Sequence, residues 1–111
     1  MDYKTQMVKV ATLKTKLEDL NGITFEQTKV DYKGEKYNAW KFFKNGKPLF
    51  TMCGAGRDGF MPLIEYTEHG QETNTELSES VAMDFWDFLG RLPKKLEKKT
   101  QLQVGQTMDK R

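Results

Sequence analysis

The sequence predicts an α+β domain: a four-stranded antiparallel β-meander with one helix before it and one after, both packed on one face. Three observations carry this. Apolar residues recur at helical spacing near each end of the chain, strand-like runs fill the middle, and Asn45-Gly46 marks a tight hairpin between two of those runs. The 111 residues suit one domain. The hydrophobic fraction is only 37%, but two Trp, four Tyr and seven Phe supply apolar area for a core.

The first helix is read from Met7, Val10, Leu13, Leu17 and Leu20, which fall within about a third of a helix circumference. Asn21-Gly22 ends the pattern, glycine suiting a left-handed position. Residues 23–32 form a first strand, in which Ile23 and Phe25 alternate with polar neighbours. The phase shifts before Val30 and Tyr32, which implies a bulge or an edge strand. Lys33-Gly34 turns the chain into a second strand at 36–44, and Asn45-Gly46 turns it again into a third from Pro48 to Cys53. The loop Gly54-Ala55-Gly56-Arg57-Asp58-Gly59 precedes a fourth strand, Phe60–Thr67, where Pro62 argues for an edge or a bulge.

A polar loop from His69 leads to the second helix. Thr73 with Glu76 fits a capping box, with Asn74 or Thr75 as other caps. Leu77, Val81, Phe85, Phe88, Leu89 and Leu92 share one face, and Glu76, Glu79, Asp84 and Asp87 the opposite arc. Gly90 and Pro93 are read as its stop. The domain is therefore expected over residues 1–96, followed by a flexible basic tail at 97–111.

Enzymatic readings find no complete constellation. Gly54–Gly59 matches the dinucleotide-binding G-x-G-x-x-G, but that chemistry needs a helix after the loop and a strand follows here. His69 is the only histidine and Cys53 the only cysteine, so neither a zinc cluster nor a relay between histidines is available. Asp58 and Glu65 resemble part of a metal-dependent nuclease pattern, yet Thr67 stands where its lysine belongs. No catalytic residue, metal or cofactor is expected. Neither a signal peptide nor a membrane span is legible, and the lone cysteine suits a reducing, cytoplasmic setting, in a cell or under a phage or mobile element.

Charge is strongly segregated beneath a net +2. Residues 29–57 carry seven Lys/Arg against two acids, residues 58–90 carry eight acids and no Lys or Arg, and residues 91–111 carry seven bases against two acids. If Trp40 and Phe42 face the helices, Tyr37, Lys41 and Phe43 share the far side of the second strand. Aromatics interleaved with lysine on an open sheet suit single-stranded or irregular nucleic acid: rings stack on bases and cations meet phosphates. The nucleic-acid site is expected at Tyr37, Lys41, Phe43, Lys44, Lys47 and Arg57.

Alternatively, Trp86 with Met83, Asp84 and Asp87 forms an exposed acidic patch on the second helix. Such a patch would serve a protein-binding regulator or inhibitor, or a homodimer. The order of sheet then helix, opened by Leu77-Ser78-Glu79, is similar over residues 36–92 to the transcriptional-coactivator and Whirly type of single-strand-binding fold. It departs from that type in having a full helix before the sheet.

Overall fold

A computed structural model describes residues 2–54 and 60–109, with side chains described up to residue 97. The element order is α1 (Tyr3–Lys16), β1 (Ile23–Tyr32), β2 (Glu35–Lys44), β3 (Lys47–Gly54), β4 (Phe60–Tyr66), β5 (Glu72–Ser78) and α2 (Glu79–Asp109). The class is α+β, as expected. The sheet is an antiparallel meander of five strands in sequence order, one more than the sequence reading supplied.

Helix α1 starts at Asp2, whose carboxylate accepts from the Thr5 amide at 2.7 Å. It ends at Lys16, four residues earlier than the apolar pattern suggested. Its inward residues are Gln6, Val10 and Leu13, continued by Leu17. Gln6 is 4% exposed and Met7 42%, so the inward stripe begins on a polar residue that apolar periodicity overlooks. The Gln6 amide oxygen accepts from the Ser78 amide at 2.8 Å and faces the Ser78 hydroxyl at 3.1 Å, which makes its burial tolerable.

Both hairpin turns place two consecutive residues at positive φ: Lys33 (51°) with Gly34 (81°), and Asn45 (53°) with Gly46 (82°). This is the primed geometry whose twist matches the flanking strands. β1 pairs with β2 over its full length without a register shift, so of the two readings of its phase change the edge strand is the one observed. The register shift lies instead in β2–β3, between Phe42 and Phe43. Pro62 is on an interior strand, not an edge. The β3–β4 ladder covers only Phe50–Met52 against Leu63–Glu65, and Pro62 falls just past its end, where a missing N–H costs least.

The segment read as a helix cap is β5. Thr75 and Leu77 alternate inward while Asn74 and Glu76 face away, and Phe60–Tyr66 pairs with Glu72–Ser78 throughout. Thr73 and Glu76 are thus strand residues, and α2 begins only at Glu79. The helix then runs through Gly90 and Pro93 to Asp109, against the expected stop at those residues. The Leu77-Ser78-Glu79 phrase marks a strand-to-helix junction.

Both helices lie on one face. Gln6 meets Ser78 and Lys14 meets Asp84, so α1 runs beside α2 in the same direction. The core is an aromatic row crossing the sheet: Phe25, Phe42 and Phe50 are cross-strand neighbours, and Phe50 continues onto Phe85 and Phe88 of α2. Successive centroids are 5.9, 5.2, 5.6 and 6.3 Å apart. Each such pair adds about 0.5–1.5 kcal/mol beyond the area it buries. A second stack, Trp40 on Trp86 at 4.2 Å and 13°, closes the core over β2. Glycine makes room for it on both sides. A Cβ on Gly54 would fall 2.9 Å from the Trp86 ring, and one on Gly90 3.2 Å from the Trp40 ring.

Gly54→Ala should therefore destabilise the fold by about 1–3 kcal/mol in urea unfolding, the usual cost of overpacking. Added to Trp86→Phe it should cost clearly less, because the smaller ring removes the clash. Additive costs in the double variant would mean that the Trp86 ring does not set the limit at Gly54.

Candidate functional site

The helix-free face of the sheet is set by the register. Since Trp40 and Phe42 pack on the helix side, the condition set in the sequence reading is met, and Tyr37, Ala39, Lys41 and Phe43 point the other way. One cross-strand row on this face runs Glu26, Lys41, Thr51, Ile64 and Asn74. Lys41 lies flat in that row: its ammonium is 5.5 Å from the Phe43 ring centroid and 5.1 Å from that of Tyr66. The Tyr66 hydroxyl is in turn 3.2 Å from that of Thr51. The structure thus gathers Tyr37, Lys41 and Phe43 on one surface and adds Tyr66, which the sequence reading had left in a strand without a role.

The face is concave. In a flat five-stranded sheet the outer strands lie about 19 Å apart, yet the hydroxyl of Tyr32 on β1 donates to Glu76 Oε1 on β5 at 3.0 Å. The ammonium of Lys33, in the β1–β2 turn, pairs with the same oxygen. The far end of the β1–β2 hairpin overhangs β3, whose pairing with β2 stops at Asn38–Gly54, and curls over the open face. This explains the phase change in β1. Ile23 and Phe25 face the helices, whereas Val30 and Tyr32 face the concave side, and both sets are at least half-buried. It also buries Ala39, Cys53 and Pro62 although no helix covers them.

Under the overhang is a cleft of about 150 Å³ lined by Tyr32, Lys33, Tyr37, Phe60, Pro62 and Glu76. Phe60 is half-exposed at its mouth. Tyr37 donates to Glu35 Oε2 at 3.4 Å. The Lys33 hydrogen bond, then that from Tyr32, holds the Glu76 carboxyl below its ordinary value of 4.5. The Glu76 contact holds Lys33 above its ordinary 10.5. Burial, followed by the bond to Glu76, raises Tyr32 above 10.0.

The remaining sequence-predicted residues are spread out. Lys44 is half-buried, and its ammonium donates to the Asn21 carbonyl between α1 and β1. Lys47 is exposed beyond the second hairpin turn. Arg57 and most of the glycine-rich loop lie outside the described residues. Lys29 and Lys36, part of the basic segment, fall on the helix-side face of β1 and β2, pairing with Asn38 and Asp31. Among the described residues the concave face carries four acids, Glu26, Glu35, Glu72 and Glu76, and is not the uniformly basic surface that the composition of residues 29–57 suggested.

On α2, Met83, Asp84 and Asp87 are exposed, and Asp84 meets Lys14 at 3.0 Å. Trp86, expected on that surface, is half-buried on Trp40. The sheet covers it, through the Trp40 ring and the close approach of Gly54. Cys53 is buried, and burial pushes its thiol up to about 12, so it offers no thiolate near neutral pH. His69 is exposed in the β4–β5 turn. Glu65, one of the nuclease-like acids, pairs with Lys9 of α1.

Among the described residues no group of three or more His, Cys, Asp or Glu is placed to hold a metal ion, and no helix is long and apolar enough to cross a membrane. The chain matches no protein-family model, no curated protein and no solved structure.

The clasp of Tyr32, Lys33 and Glu76 has a defined pH window. The Glu76 contribution, from a depressed carboxyl, is present above the ordinary glutamate value and lost as pH falls through the depressed one. The Lys33 contribution, from a raised ammonium, is present below the ordinary lysine value and lost as pH rises through the raised one. The clasp is therefore complete throughout the neutral range. Lys33→Ala should move the Glu76 carboxyl midpoint, followed by NMR, back up toward 4.5. A midpoint that stays put would remove Lys33 as the main cause.

Proposed function

We propose that the protein is a non-enzymatic binding module that takes single-stranded nucleic acid on the concave face of its sheet. The observation that carries this reading is the grouping of Tyr37, Lys41, Phe43 and Tyr66 on a face that no helix covers. Half-exposed rings on a sheet offer bases a stacking platform, each base–aromatic contact contributing about 1–3 kcal/mol irrespective of sequence.

The charge distribution decides which force leads. Lys41 is held against two ring faces and stands opposite Glu26, and Lys33 is paired with Glu76. Few cations among the described residues of this face remain to meet phosphates, so stacking supplies most of the affinity there. A regulator acting through the acidic side of α2 is less well supported, because the aromatic anchor expected there is spent on Trp40.

Titration with fluorescent single-stranded oligonucleotides at about 50 mM salt should show binding whose salt slope is shallow. With two or three phosphates neutralised, log K should fall by only about 1.4–2.1 per decade of salt. Phe43→Ala should weaken binding roughly 5- to 100-fold. Absence of binding at that salt would sink the proposal, and a slope several times steeper would move the contact off this face.

A further inference from the structure

We infer that the cleft under the β1–β2 overhang is a base pocket, selective for cytosine, lined by Tyr32, Tyr37 and Phe60 and closed by Lys33 and Glu76. This rests on the reading of the concave face as a nucleic-acid surface and assigns its most specific element.

Size comes first. A cavity of about 150 Å³ holds one six-membered aromatic ring, which fits a pyrimidine and crowds a fused purine. The walls come next. Tyr32, Tyr37 and Phe60 offer ring surface and Pro62 an apolar floor, and Phe60, half-exposed at the mouth, is placed to stack on an entering ring.

The polar groups then choose among pyrimidines. Both bonds described for Glu76 fall on Oε1, from Tyr32 and Lys33. Oε2 of the same carboxylate, on a residue that lines the cleft, is the acceptor that neither bond uses. A carboxylate accepts from the N4 amino group of cytosine, while the neighbouring N3 and O2 of that base accept hydrogen bonds. Lys33, whose ammonium keeps two N–H groups beyond the one on Glu76, is the donor at hand. Thymine or uracil in the same orientation would turn its O4 onto the carboxylate, oxygen against oxygen.

A backbone observation points to the same place. Lys33 occupies the left-handed region at φ 51°, a position that asparagine, aspartate or glycine would fill at less cost. Strain of this kind is retained where the side chain is needed, and here the side chain reaches across the sheet to Glu76.

Three probes test the pocket: oligomers of deoxycytidine and of deoxythymidine about eight nucleotides long, and free cytidine 5′-monophosphate. The deoxycytidine oligomer should bind roughly 5- to 100-fold more tightly than the deoxythymidine oligomer. Glu76→Gln should abolish most of that ratio, and Phe60→Ala should weaken both oligomers together. Circular dichroism of each variant should match the wild type.

Equal affinity for the two oligomers would overturn the pocket and leave the stacking face standing. Binding of cytidine monophosphate without tighter binding of the deoxycytidine oligomer would support the pocket and overturn the single-strand reading. No binding of any probe overturns both.

Discussion

The packing of α2 across the sheet through the row Phe25–Phe42–Phe50–Phe85–Phe88 is the interaction on which the rest depends. It commits one face of the meander to the core and, because α1 lies beside α2 on that same face, leaves the other without a cover. A five-stranded sheet covered on one side must still shield the apolar residues of its second side. This one does so by curling. The curl brings Tyr32 and Lys33 to Glu76, buries Ala39, Cys53 and Pro62 in the hollow, and turns an open surface into one with a cleft. Core, curvature and candidate site are thus consequences of one arrangement.

Charge in the sequence and charge on the surface are different quantities in this protein. The acidic stretch 58–90 and the lysines before it look like opposed blocks. In the fold three acids of that stretch meet lysines from elsewhere: Glu65 with Lys9, Asp84 with Lys14 and Glu76 with Lys33. Strand alternation divides the basic segment further, sending Lys29 and Lys36 to the helix-side face and Lys41 to the concave one. Surface pairs of this kind contribute little stability, about 0–1 kcal/mol each. Each pair offsets part of the field that segregation would otherwise create, which lowers long-range steering of a polyanion and gives short-range stacking more relative weight.

Much of the fold was legible because local chemistry and global fold agree. The two Gly-containing turns, the alternation of β2 and the apolar face of α2 each carry one dominant signal; β2 alternation grouped Tyr37, Lys41 and Phe43 on one face, and the packing of Trp40 and Phe42 decides that this face is the helix-free one. The misreadings occur where two principles compete. In residues 72–78 the alternation of Thr73, Thr75 and Leu77 speaks for a strand, while Thr73 and Glu76 imitate a capping box; pairing with β4 decides for the strand. In α1 the inward position at the first turns belongs to Gln6, whose role depends on Ser78, 72 residues away, and no local pattern announces it. The cleft was illegible for a related reason. Tyr32, Lys33, Phe60 and Glu76 come from three separate segments, and only the coiling of the sheet makes them neighbours.

Gly90 and Pro93 show most clearly how tertiary structure reverses a local rule. Each opposes helix, glycine by about 1 kcal/mol and proline by about 3 relative to alanine, and together they read as a terminus. The backbone continues past both. Gly90 lies where α2 passes over Trp40, and a side chain there would press on the indole that Trp86 stacks against. A better helix former at that position would gain propensity and lose the room that glycine gives the Trp40 ring. The same packing half-buries Trp86 and leaves Met83, Asp84 and Asp87 as the exposed remainder of the patch expected there. A glycine that looks like punctuation in the sequence is therefore a spacer in the structure. By fixing how α2 seats on β2, it bears on how much aromatic surface remains for a ligand and directs attention to the concave side of the sheet.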